Sequence, residues 1–213
     1  GYLIVPNPML LPEYAYNFEL GLTKYLKKDK NYISVQGFTT LISRHIGRNN
    51  YPIFSDQTTT SNSTILYNGE ELITLANNNL GTRYMLGTSL DGNIFFTDKI
   101  SLKGDFNIIN ALKNEQYGPL PSISPVFLNL FINYEKEKWF ASLRYQYSGS
   151  KNPEEYSLGG EDGLEETPII SQSQGIYAGT PAWSELSFLT QFSWNENGKI
   201  TIGLVNIFDF LYR

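Results

Sequence analysis

The feature that most constrains this chain is a period of two that recurs along most of its 213 residues. Between positions 14 and 22 every second residue is large and apolar: Tyr14, Tyr16, Phe18, Leu20, Leu22. The residues between them are small or polar: Ala15, Asn17, Glu19, Gly21. Successive side chains of a strand point to opposite faces, so this is a strand with two unlike faces. The pattern, which opens over 14–26, returns over 31–43, 83–96, 99–108, 126–134, 139–147, 184–194 and 199–206. It predicts about eight strands, and no stretch reads as an amphipathic helix.

The connections carry the next constraint. Segments 27–30, 97–98, 135–138 and 195–198 are short, and they alternate with long ones at 47–82, 111–125 and 148–181. In an up-and-down sheet this puts every tight turn on one edge and every long loop on the other. Outer-membrane barrels have that asymmetry, and strands of roughly 9–11 residues suit a tilted bilayer crossing. The aromatics agree. Tyr14, Tyr16, Tyr84, Tyr145 and Tyr147 sit on the apolar parity near the long-loop ends. Phe96, Tyr134, Trp139 and Trp194 hold the same parity near the tight turns, and Tyr25 and Tyr32 flank one turn. Aliphatic residues fill the middles, giving two girdles around a band that suits lipid.

The opposite parity carries Glu19, Arg83, Asp91, Lys103, Asp105, Arg144 and Glu185. Such charges are costly in a dry core and cheap in a wet lumen. A soluble sheet covered by a missing layer is the competing reading. Only 17% of residues are charged, against about 25% in soluble domains. With a net charge of −5, nothing points to a nucleic-acid partner. No apolar run reaches the ~20 residues of a membrane helix, and GYLIVPNP has no basic leader region. The strands alone leave open a small self-contained barrel (a structural protein, an adhesin or a passive pore), since eight strands can close one.

Several segments resemble a known family. Asn7-Pro8, Leu11-Pro12-Glu13-Tyr14 and Asn17-Phe18-Glu19-Leu20-Gly21 resemble the barrel of TonB-dependent outer-membrane receptors. So do Pro119-Leu120-Pro121-Ser122-Ile123-Ser124-Pro125 and the run Asn206 to Arg213, with Phe210 where Lys is common. Glu155-Tyr156-Ser157-Leu158-Gly159-Gly160-Glu161-Asp162 and Gly179-Thr180-Pro181-Ala182-Trp183 are similar to a colicin- and siderophore-receptor-like subgroup. The resemblance implies an all-β, antiparallel, up-and-down transmembrane wall, open and curved, cut from a barrel of about 22 strands, the size class of plugged transporters. Residues 1–213 are then expected to be a partial receptor barrel, without the plug domain or the final strand. The implied activity is energy-coupled uptake of a scarce ligand across the outer membrane of a Gram-negative bacterium, foremost a ferric siderophore. The implied partners are that ligand, outer-membrane lipid, and the TonB energy-coupling complex acting through the plug region. Haem, cobalamin and carbohydrate stay open as ligands.

The residues point to binding rather than catalysis. His45 is the only histidine, so a multi-histidine metal site or a serine triad is hard to build; a rim residue and a haem ligand are its two readings. Glu154, Glu155, Glu161, Asp162, Glu165 and Glu166 form an acidic loop without the spacing of a calcium hand. It reads as a solvated loop, with a divalent cation as the alternative. No cofactor is implied. The candidate ligand contacts are Arg44, Arg83 and Gln146 on the polar parity near the long-loop rim, with Tyr51, Tyr67, Tyr117, Tyr156 and Tyr177 in the loops. Tyrosine supplies contact area with few torsions to freeze. Arg44 and Arg83 flank the first long loop, where a basic pair attracts an anionic chelate. Pairing with lumen acids such as Asp105 is the plainer expectation for them.

Overall fold

The structure, a computed structural model, describes residues 1–26, 30–52, 63–112, 125–156 and 163–209. Tyr117, most of the 119–125 motif, Glu161, Asp162 and the last four residues lie outside them. Fourteen strands are formed among the described residues. In chain order they are β1 (Tyr2–Ile4), β2 (Tyr14–Tyr25), β3 (Tyr32–Ser43), β4 (Ile46–Asn50), β5 (Thr64–Tyr67), β6 (Glu70–Asn79) and β7 (Arg83–Phe95). Then come β8 (Ile100–Leu112), β9 (Val126–Lys136), β10 (Trp139–Ser148), β11 (Ile169–Ser171), β12 (Ile176–Tyr177), β13 (Trp183–Asn195) and β14 (Gly198–Leu204).

Eight of these make one open antiparallel sheet, in the order β14-β13-β10-β9-β8-β7-β3-β2. They are the eight that the alternation predicts, each paired with the next along the chain of wall strands. The expectation for 47–82 needs correcting. That segment is not a plain loop, because β4, β5 and β6 form a second sheet there with β1.

Register shows why the wall is tilted. Thr23, Ser34, Asp91, Asp105, Asn129, Gln146 and Glu185 oppose one another strand by strand across seven strands. The row begins near the tight-turn end of β2 and finishes near the long-loop end of β13. Each strand is thus slid along its neighbour, which is the stagger a barrel wall requires.

The two faces differ as the sequence predicts. On one, Tyr16, Phe18, Leu20 and Leu22 of β2 are 61–72% exposed. The same parity continues through Val35, Leu90, Phe106 and Leu128 in a single register row. Tyr25 and Tyr32 belong to the other face, since their row leads on to Asn93, Lys103 and Phe131. Among the described residues the buried apolar side chains are Ala76, Leu80 and Tyr156, and none belongs to the eight-stranded sheet. A single-layer wall has no core of its own. Its apolar face must be covered from outside, and a patch this continuous exceeds what a soluble monomer exposes.

On the polar face the Phe38 ring lies over Gly87. A Cβ at Gly87 would sit 2.1 Å from the ring, so only glycine fits. We expect Gly87→Val to destabilise the folded protein by about 1–3 kcal/mol through overpacking, measured by denaturant titration of the refolded protein in vesicles. In the same assay Leu90→Lys on the apolar face should cost about 2–4 kcal/mol if that face meets the bilayer midplane. Gln36→Lys should cost far less, because Gln36 donates to Glu19 across the polar face (3.0 Å) and a lysine keeps a donor there.

Candidate functional site

The long-loop rim is where the chain is knitted most closely. β6 is its hub: β5 and β4 pair antiparallel along it, and β1 runs parallel to it. Its alternation buries Thr74 (1% exposed) and Ala76 and leaves Ile73 on the open face. The segment that follows β1 is fastened to the rest of β6 by asparagine side chains. Asn7 donates from Nδ2 to the Asn77 carbonyl (3.0 Å) and to Asn78 Oδ1 (2.9 Å), while its own Oδ1 accepts from the Met9 amide. Asn79 accepts from the Leu11 amide (2.8 Å) and donates to the Leu11 carbonyl (2.9 Å) and to the Arg44 carbonyl (3.0 Å). A side-chain amide carries a donor and an acceptor, so it substitutes for a strand neighbour. Glu13 completes the seam: its Oε2 accepts from the Ile46 amide (2.6 Å) and pairs with His45 Nδ1 (3.0 Å). The Asn7-Pro8 and Leu11-Pro12-Glu13 motif is therefore a fastening for the first long loop.

A second fastening closes the base of the third long loop. Lys151 and Thr180 pair as an isolated bridge. The Tyr156 hydroxyl meets Thr180 Oγ1 (2.5 Å), and the Lys151 ammonium lies 4.3 Å from the centre of the Tyr156 ring. A cation over an aromatic face is attractive, more so when desolvated, and both residues are buried. Gly179 has a φ of +76°, and a Cβ there would stand 2.2 Å from the Lys151 carbonyl oxygen. The Gly179-Thr180-Pro181 motif thus needs glycine for both backbone shape and close approach. In the acidic loop, the Glu155 carboxylate is occupied in accepting the Asn152 amide (2.7 Å). Among the described residues no group of three or more His, Cys, Asp or Glu is placed to hold a metal.

Below the rim the polar face carries a chain of hydrogen bonds across four strands. Ser89 donates to Asn107 (2.7 Å), and Asn107 donates to Asp105 (3.2 Å). Asn129 also donates to Asp105 (3.1 Å) while its oxygen accepts from Arg144 (3.3 Å). Arg144 reaches on to Gln146 Oε1 (2.6 Å) and lies 5.7 Å from the centre of the Phe131 ring. Asn129 therefore stands between an anion and a cation, which fixes which way its amide points. Asp105 is bonded here by Asn107 and Asn129, and Arg144 is the arginine that the relay reaches.

The eight candidate ligand residues separate by burial. Arg44 is exposed, at the end of β3 with a φ of +56°. Arg83, at the start of β7, is 1% exposed. The two flank the first long loop as predicted, but only Arg44 faces solvent. Gln146 is held in the relay. Tyr67 is 53% exposed; Tyr51 is half-buried, with its carbonyl accepting from Thr74 Oγ1 and its hydroxyl 3.5 Å from Asn7. Tyr177 is half-buried in β12, Tyr156 is locked into the knot, and Tyr117 lies outside the described residues. What sequence reasoning missed is the fastening set of Asn77, Asn78, Asn79 and the Glu13–His45 pair. The asparagine triplet carried a signal only in hindsight of the alternation Leu72, Thr74, Ala76 that precedes it.

An open, two-faced, staggered sheet with tight turns at one rim and fastened loops at the other defines the wall of an outer-membrane-type β-barrel. A family model described as TonB dependent receptor-like, beta-barrel, matches residues 1–207. The chain belongs to that family. None of the curated proteins matches it in sequence. Among solved structures it is similar to the siderophore receptor PirA from Acinetobacter baumannii (TM-score 0.70, 16% identity, 98% of this chain and 29% of that one). It is similar to the ferric enterobactin receptor PfeA from Pseudomonas aeruginosa (TM-score 0.67, 12% identity, 93% and 26%). It is also similar to the copper transporter OprC (TM-score 0.67, 15% identity, 97% and 27%). The chain thus spans 26–29% of the length of these three proteins.

Asn79→Ala removes three hydrogen bonds that join Leu11 and Arg44 to β6. At about 0.5–1.5 kcal/mol each, their loss should raise opening of the first long loop roughly tenfold or more. Cleavage of the refolded protein by an added protease should quicken at that loop by the same factor, with the wall strands still protected.

Proposed function

We propose that this chain is a wall segment of a TonB-dependent transporter that imports a scarce ligand, most simply a ferric siderophore, across the outer membrane of a Gram-negative bacterium. The observation that carries the reading is the division of the molecule: an apolar face suited to lipid, a polar face suited to a wet lumen, and a fastened rim that holds polar loops at one end. The family match supports it, as do neighbours described as siderophore receptors, one of them solved in complex with enterobactin. A neighbour described as a copper transporter keeps a metal ion or its chelate as the rival cargo.

In this reading no bond is made or broken. Exposed Arg44 and Tyr67, with Tyr51, Tyr177 and Tyr117, contribute to capture at the rim. Arg83, Tyr156 and Gln146 hold the loops and lumen wall in shape. The remaining strands and a plug come from the rest of a longer protein, and the energy-coupling complex acts through that plug. Deleting the gene and measuring uptake of iron-loaded siderophore against copper under starvation for each tests the cargo. Loss of siderophore uptake alone supports the reading; loss of copper uptake alone overturns it. Arg44→Glu should raise the half-saturating siderophore concentration about 3–10-fold through lost steering and leave the maximal rate unchanged, read from the uptake curve at low ionic strength.

A further inference from the structure

Two Asn-Gly pairs stand in the chain, Asn68-Gly69 and Asn197-Gly198, and both lie at two-residue hairpin turns. An asparagine before glycine is open to self-modification, because no Cβ shields the glycine nitrogen from the carbon of the asparagine side-chain amide. Folding decides whether that nitrogen reacts. It attacks after losing its proton, so it must be free of a hydrogen bond and within reach of water.

The two turns differ on both counts. Gly198 already belongs to β14 and pairs with Asn195 in the ladder. The Trp194 indole lies over it, and a Cβ on Gly198 would stand 2.2 Å from that ring. At the other turn Tyr67 and Glu70 close the hairpin. Asn68 (φ +52°) and Gly69 (φ +86°) lie beyond the ladder, with the two positive φ angles of a type I′ turn. Both are exposed. A Cβ on Gly69 would meet nothing within 4 Å, and its N–H makes no hydrogen bond among the described residues. The related pair Asp91-Gly92 sits inside β7, where β3 and β8 hold the backbone from both sides.

We propose that Asn68 is a self-modifying site whose isoaspartate product releases β5 from β6. The Gly69 nitrogen bonds to Asn68 Cγ, the Cγ–Nδ2 bond breaks, and ammonia leaves with the proton. Water then opens the five-membered imide at one carbonyl or the other, giving aspartate or isoaspartate. The net change consumes one water and releases one ammonia, with no oxidant and no enzyme. Aspartate keeps the backbone and adds a carboxylate beside Glu70 and Glu71. Isoaspartate inserts its own Cβ into the main chain, which a two-residue turn does not absorb. The register of Thr64–Tyr67 against Glu70–Ile73 depends on that turn. β5 is then let go, and Tyr67 with it, while β1 and β4 hold β6 from Ile73 onward. Nothing in this step depends on what the wall faces or carries.

The test uses the intact protein, purified in mild detergent and warmed in mildly acidic or mildly alkaline buffer. Peptide mapping by mass spectrometry, with fragmentation that separates aspartate from isoaspartate, follows each asparagine. Asn68 should convert faster in the alkaline buffer. It should run about tenfold or more ahead of Asn197, where a ladder hydrogen bond must open first. Trp194→Ala should quicken Asn197 and leave Asn68 unchanged. Hydrogen exchange on the converted protein should show protection lost across Thr64–Tyr67 in the isoaspartate fraction and kept across β4. Equal rates at the two asparagines overturn the proposal. So does an Asn68 that stays intact in the folded protein while a synthetic peptide of residues 66–71 converts. Full protection of β5 in the isoaspartate fraction overturns the release.

Discussion

Every backbone N–H and C=O of a membrane-crossing strand needs a partner inside the protein, because lipid offers none. The rest of this structure follows from that requirement. Among the described residues the eight wall strands have no second layer to lean on, and the buried apolar side chains all sit outside their sheet. What holds the wall is the ladder itself, together with cross-strand side-chain pairs worth a few tenths to about 1 kcal/mol each. The ladder leaves one free edge on β2 and one on β14. Such edges invite pairing with any strand that arrives, and under the proposed reading the remainder of the barrel supplies it.

The same requirement explains the heavy use of asparagine. At the rim the strands end, yet their polar groups still need partners. Asn7 and Asn79 provide them by presenting a peptide-like amide to a neighbouring segment. On the polar face Asn107 joins Ser89 to Asp105, and Asn129 links Asp105 to Arg144 without a direct ion pair. An amide relay spreads the interaction over several strands.

Most of the wall was legible in the sequence because a single-layer sheet has only two environments. Side-chain class decides between them at every position, so Tyr16, Phe18, Leu20 and Leu22 declare their face without reference to anything else. The loops lack that property. Tyr156 reads as a solvent-facing ligand contact, and it is buried because Thr180, 24 residues away, takes its hydroxyl. Arg44 and Arg83 look equivalent as flanks of one loop. They differ in that Arg44 follows β3 with a left-handed backbone and is exposed, whereas Arg83 begins β7 and is buried. The segment 64–79 reads as polar loop because its asparagines and glutamates mask the short alternation that forms β6. The family motifs were visible, but their mechanical meaning, as fastenings between segments roughly 30–70 residues apart, appears only once the partners are in place.

The central claim is that one face of the wall touches lipid and the other water. The chain has no cysteine, so single cysteines from position 15 to 24 of β2 can each carry a spin label in the membrane-inserted protein. Accessibility to oxygen and to a water-soluble nickel chelate is then compared position by position. The account predicts a period of two, with labels at 16, 18, 20 and 22 favouring oxygen and those at 17, 19, 21 and 23 favouring the chelate. Equal accessibility of both parities to the chelate would contradict it.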